Sequence, residues 1–81
     1  MFSLGYIAYV RMDFSDALVW FSRAIKKDHD RSIYWIGKMY WRGEGVVQDR
    51  KRAQELFARA ADKRVVEAQR ALRFLGFLAN R

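Results

Sequence analysis

Apolar residues recur at helical spacing along most of this chain. Ala17, Leu18, Phe21, Ala24 and Ile25 follow the i, i+3, i+4, i+7 rhythm of one helix face. Lys26 and Lys27 close that segment, and cations suit the negative end of a helix. A third segment carries Ile33, Ile36, Gly37 and Tyr40 on one side, and a fourth, opening at Asp49, carries Ala53, Leu56, Phe57, Ala60 and Ala61. The fifth, over residues 65–79, repeats Val65, Ala68, Leu72, Leu75 and Ala79. Residues 3–12 are apolar on nearly every side, with Leu4, Ile7, Ala8 and Tyr9 as the strongest stripe, and predict a buried first helix.

The breaks between these stripes have their own chemistry. Asp13-Phe14-Ser15-Asp16 offers side chains that satisfy free amides at a helix start, and Asp30 or Ser32 is placed to do the same for the third helix. Arg42-Gly43-Glu44-Gly45 ends that helix, since glycine takes the positive φ that a helix terminus and the turn beyond it require. Five helices joined by short links predict an all-α chain of antiparallel hairpins stacked side by side.

The stripes also repeat. A shift of 36 residues carries Ala17 to Ala53, Phe21 to Phe57, Arg23 to Arg59, Ala24 to Ala60, Ser32 to Ala68 and Ile36 to Leu72. Leu4-Gly5 aligns with Ile36-Gly37 when the first turn is four residues shorter. Residues 32–68 resemble the Sel-one-like repeat, a branch of the tetratricopeptide-like helical repeats. Gly37, Tyr40, Gly43, Gly45, Val46, Asp49, Ala53, Phe57, Ala60 and Ala61 match the family pattern in one register. Ile36, Arg52 and Leu56 replace its usual leucine, lysine and tryptophan. The first copy keeps Leu4-Gly5, Ala17, Phe21 and Ala24 but has the shorter turn Arg11-Met12-Asp13-Phe14; the third loses the glycine to Arg73.

That resemblance implies a right-handed α-solenoid divided into a short repeat (1–31), a full repeat (32–67) and a partial repeat or capping helix (68–81). It makes Gly5, Gly37, Tyr40, Gly43, Gly45, Ala53, Phe57 and Ala60 structural, the small residues admitting close backbones and the rings filling the space between hairpins. It also implies that the first helix of each hairpin lines a concave surface for a partner protein. With Ile36 and Tyr40 inward, the opposite side of the third helix presents Arg31, Tyr34, Lys38, Trp41 and Arg42. The matching places on the flanking helices are Tyr6 and Tyr9, then Arg70, Phe74 and Phe77. Aromatic and arginine side chains are the usual anchors of protein interfaces.

Composition narrows the alternatives. At 81 residues a single core is marginal, and 52% hydrophobic with 16% aromatic residues compensates for the small size. Proline and cysteine are absent, which favours helix and leaves no disulfide framework or thiolate chemistry. No stretch approaches the roughly 18 apolar residues that read as a membrane span, and the apolar start lacks a basic leader, so cytoplasmic residence is the default expectation. The net charge of +7 is uneven. Residues 1–49 carry seven Lys and Arg against six Asp and Glu, and residues 50–81 carry nine against three. Arg50, Lys51, Arg52, Arg59, Lys63, Arg64, Arg70 and Arg73 form a basic stripe, and its alternative reading is binding to nucleic acid or an anionic surface.

Catalysis has little to build on. His29, between Asp28 and Asp30, is the only histidine, and without a second ligand cluster it reads as an exposed loop residue. Gly43-Glu44-Gly45 lacks the spacing and lysine of a phosphate loop. The expectation is a non-enzymatic adaptor, scaffold or small inhibitor with no metal or cofactor. The apolar ends, Met1, Phe2, Tyr6 and Val10 against Phe74, Leu75, Phe77 and Leu78, admit a homodimer, a partner that covers them, or a longer array.

Overall fold

The apolar stripes become five helices in a computed structural model that describes residues 2–79, with side chains up to Gly76. These are α1 (Phe2–Val10), α2 (Phe14–Lys26), α3 (Arg31–Arg42), α4 (Arg50–Asp62) and α5 (Val66–Ala79). α1 pairs with α2 and α3 with α4; α3 also packs on α2, and α5 on α4. Each element therefore leans on its neighbours in sequence, as stacked hairpins must when none buries its own apolar face. The result is an all-helical solenoid with extents of 37 × 24 × 17 Å and no strand among the described residues.

Four of the helices stop by one device. A residue in left-handed conformation follows the last turn, at Met12 (φ 65°), Asp28 (φ 63°), Gly43 (φ 70°) and Arg64 (φ 66°). The next amide then bonds a carbonyl five residues back: Asp13 to Ala8 at 2.9 Å, His29 to Ala24 at 3.0 Å, Glu44 to Met39 at 2.9 Å, Val65 to Ala60 at 3.1 Å. This six-to-one closure satisfies carbonyls that would otherwise be orphaned. Only one of the four stops uses glycine. The first helix accordingly ends at Val10, short of the predicted residue 12, because Met12 supplies the reversal.

Caps follow the sequence less closely. Asp49 accepts the Arg52 amide at 3.0 Å and caps α4 as expected. Asp13 and Asp30 make no side-chain cap bond. Ser32 is fully buried instead, its Oγ 3.5 Å from His29 Nδ1.

Packing centres on two equivalent contacts. A Cβ added to Gly5 would lie 2.6 Å from Phe21 Cδ1, and one added to Gly37 would lie 2.9 Å from Phe57 Cε1. In both hairpins a ring from the second helix rests on the bare backbone of the first. The contact explains a departure from expectation in α1: with Gly5 turned to Phe21, Phe2, Ala8 and Tyr9 meet the core, while Leu4 and Ile7 remain 46% and 48% exposed. Around the contacts, Ala17, Phe21, Ile36 and Met39 form one buried cluster, and Ile33, Ala60, Val65 and Ala68 form the other. Gly45 (φ 75°) brings the α3–α4 turn onto the first repeat, where a Cβ would sit 2.6 Å from Phe14 Cβ.

Gly37→Ala overpacks the α3–α4 contact, at a cost of about 1–3 kcal/mol that outweighs a helix-propensity gain of about 1 kcal/mol, whereas Gly76→Ala, with nothing within 4 Å of its Cβ, keeps the gain. Urea denaturation is expected to move the two variants in opposite directions. Met12→Gly and Arg64→Gly relieve a left-handed Cβ clash of about 1–2 kcal/mol and are expected to raise the melting temperature by a few degrees. Asp28→Gly gains less, because aspartate tolerates that conformation better.

Candidate partner-binding face

α1, α3 and α5 supply one face of the solenoid, and α3 runs along its middle. Two helical rows meet there. Trp35, Lys38 and Arg42 are spaced i, i+3, i+7; Tyr34, Lys38 and Trp41 are spaced i, i+4, i+7. Lys38 and Arg42 consequently form a ridge with a hollow on either side. The hollow towards α1, of about 270 Å³, has Tyr6, Tyr9, Phe14, Trp35 and Glu44 in its lining. The hollow towards α5, of about 230 Å³, is lined by Tyr34, Trp41, Phe57, Phe74 and Leu75. Both share Lys38 and Arg42.

The rings are held by one another. Trp35 lies edge-on to Tyr6 at 5.6 Å and to Tyr9 at 5.2 Å, and stacks on Phe21 at 6.0 Å, so it ties the face to the core. Its indole nitrogen is buried without a hydrogen-bond partner. Tyr34 leans on Phe57 at 5.6 Å. The Lys38 ammonium lies 4.9 Å from the Trp35 ring centre and 5.9 Å from that of Tyr9. Burial, and then the charge of Arg42, lower the Lys38 pKa. Tyr9 donates to Glu44 Oε1 at 2.7 Å. Its hydroxyl is pushed up to about 12 by burial first, and then by that hydrogen bond and by the Glu44 charge. Burial, with Glu67 second, also raises Tyr34.

Of the ten residues singled out for binding, seven come together here: Tyr6, Tyr9, Tyr34, Lys38, Trp41, Arg42 and Phe74. Arg31 does not line either hollow; it pairs with Glu67 where the α2–α3 and α4–α5 links meet, and its guanidinium lies 5.8 Å from the Phe2 ring. The Glu67 carboxyl is held below its usual range by its own backbone N–H first and by Arg31 after that. Arg70 is exposed on α5, where its charge adds to the lowering of Glu67. The Phe77 side chain lies outside the described residues.

The basic stripe is divided among several environments. Arg50 stacks on Trp41 at 4.6 Å and Arg52 on Tyr40 at 5.0 Å, while Lys63 lies 3.8 Å from Asp30. Arg64 occupies a turn, and Lys51, Arg59 and Arg73 are exposed. His29 is not the exposed loop residue expected: its ring stacks on Phe2 at 4.4 Å. Among the described residues no group of His, Cys, Asp or Glu is arranged to hold a metal, and no helix is long and apolar enough to cross a membrane.

Among the lining residues that escape the sequence reading are Trp35, Glu44 and Phe14. The i, i+3, i+7 relation of Trp35 to Lys38 and Arg42 is the signal that would have found the first. Glu44 and Phe14 carry no comparable signal, because the Gly45 turn brings them in from different repeats.

Compared with known families, the Sel1 repeat matches the chain twice, over residues 1–29 and 30–64. Together the matches span well over half of its length. No curated protein matches it significantly.

Tyr9 offers a direct check on the first hollow. A tyrosine whose folded pKa lies above its unfolded value adds stability that is complete below the unfolded pKa, about 10, and is lost as pH climbs towards about 12. Ultraviolet titration of the four tyrosines is expected to show one ionising last. Glu44→Gln, which removes the carboxylate charge, is expected to bring that ionisation down and to flatten the alkaline loss of stability.

Proposed function

Since the chain belongs to the Sel1 repeat family, whose repeats are non-catalytic protein-interaction modules, we propose that it is an adaptor, scaffold or small inhibitor that takes its partner on the α1–α3–α5 face. One observation carries this reading: aromatic side chains from all five helices, most of them on α1 and α3, gather around the Lys38–Arg42 ridge. Large rings with polar tips bury much area at little cost in side-chain freedom, and they dominate interface energetics. Trp41 and Tyr34 keep part of their surface exposed after packing internally, so they can serve both roles.

A protein partner suits the cations better than nucleic acid does. Phosphate binding draws on free cations that track a backbone. Here Arg50 and Arg52 lie over the rings of α3, and Lys63 faces Asp30. The basic second half then acts mainly to steer an acidic partner during encounter.

Affinity capture from native lysate, read by mass spectrometry, tests the proposal. The double variant Trp41→Ala with Arg42→Ala is expected to lose the captured partner while keeping the far-UV helical signal; Arg59→Ala, on the exposed side of α4, is expected to keep it. Undiminished capture by the double variant would remove this face from consideration. Generic DNA and RNA are expected to show no gel shift at low salt, and a shift that collapses as salt rises favours the nucleic-acid reading.

A further inference from the structure

The ridge carries an electrostatic imbalance that the fold itself does not resolve. Lys38 and Arg42 stand one helical turn apart, where like charges repel. Among the described residues the ion pairs are Arg31–Glu67 and Lys63–Asp30, and neither ridge cation belongs to one. Glu44 is the only acidic side chain among the described residues that line the two hollows, and it already accepts the Tyr9 hydroxyl. Lys38 is also partly stripped of water by the rings of Trp35 and Tyr9. Burial first and Arg42 second act against its charge, and Glu44 offsets them only in part. A dehydrated cation beside a second cation is a place where an incoming anion gains more than it would at an open surface.

The surroundings limit what that anion can belong to. Side chains at this spacing have Cβ atoms roughly 5–6 Å apart. One carboxylate bridges such a span, through hydrogen bonds of about 2.8 Å to the ammonium and to the planar guanidinium fork. On either side lie hollows walled by rings. The one bounded by Tyr34, Trp41 and Phe74 measures about 230 Å³. A cavity of about 150 Å³ already accepts benzene, so one bulky apolar side chain fits there. A nucleic-acid strand offers the charge but no aliphatic or aromatic side chain to lodge beside it.

Resting on the proposed binding face, and deepening it, we infer that the partner presents an acidic linear segment, with one Asp or Glu carboxylate seated between Lys38 and Arg42 and a neighbouring bulky apolar side chain in the hollow of Tyr34, Trp41 and Phe74. The carboxylate supplies the anion that the ridge lacks, and the apolar side chain sets its position along α3. Specificity comes from the pairing of the two, since an acid alone leaves the hollow wet and an apolar residue alone leaves the cations unpaired.

Selection of the whole protein against a displayed library of random short peptides tests this, followed by anisotropy measurements on a synthetic copy of the best binder. Enriched peptides are expected to carry Asp or Glu next to Leu, Met, Phe or Trp. Replacing that acid by its amide, or making Lys38→Met, which keeps the apolar stem and drops the charge, is expected to weaken Kd roughly tenfold or more. The two losses are expected not to add, as befits partners in one contact. Binders indifferent to the amide change overturn the acidic-segment inference, and if Trp41→Ala still weakens them the binding-face proposal survives. Binders untouched by both Trp41→Ala and Lys38→Met sink the two together, and a library that returns no binder overturns the inference. A single-stranded oligonucleotide of matched charge that displaces the peptide more effectively than unlabelled peptide assigns the ridge to nucleic acid instead.

Discussion

The seating of a phenylalanine ring on a bare helix backbone is the contact on which the rest of this small solenoid depends. Phe21 on Gly5 and Phe57 on Gly37 hold the two helices of each hairpin closer than any side chain would allow. That distance rotates α1 and α3 so that the same edge of each faces inward, and the opposite edge is left to form the external face. Ring packing then continues outward from the contact, with Phe21 stacked against Trp35, and Trp35 set edge-on to Tyr6 and Tyr9. The outer aromatics are thus positioned by the core, and the face is preorganised to the extent that the core is.

Most of the framework was legible in the sequence, and for physical reasons. α2, α3 and α4 each have one apolar and one polar side, so a period of 3.6 picks out the buried stripe directly. Gly37, Gly43, Gly45 and Asp49 have jobs that few other residues can do, which makes their spacing diagnostic. α1 was harder. With no polar side to contrast, its periodicity carries little information, and the close approach at Gly5 turned Leu4 and Ile7 outward against expectation. The left-handed residues Met12, Asp28 and Arg64 were also illegible, because their conformation belongs to the bond that closes the preceding helix, and methionine and arginine have no preference for it that a sequence would show.

The candidate site divides along the same line. Tyr34, Lys38, Trp41 and Arg42 share one helix, and a helical wheel brings them together. Their meeting with Tyr6 and Tyr9 on one side and Phe74 on the other follows from the register of the repeats. Of the residues that were missed, Glu44 and Phe14 are far apart in sequence and meet only through a turn. The dispersal of the basic stripe was beyond reach for a similar reason: whether an arginine faces solvent or lies over a ring depends on a neighbouring helix, and here Trp41 and Tyr40 of α3 take Arg50 and Arg52.

The turn at Gly45 has a consequence for how the molecule comes apart. In a row of repeats coupled only through broad helix faces, an end unit can fray while the next one persists, and unfolding proceeds piecemeal. Here the second hairpin's turn lies on Phe14 at the start of α2, and the residue beside it, Glu44, bonds Tyr9 of α1. Loosening α3 from α4 therefore withdraws support from both helices of the first hairpin at once. The stitch couples the two hairpins through a turn as well as through their helix faces, which works against the piecemeal unfolding of an array.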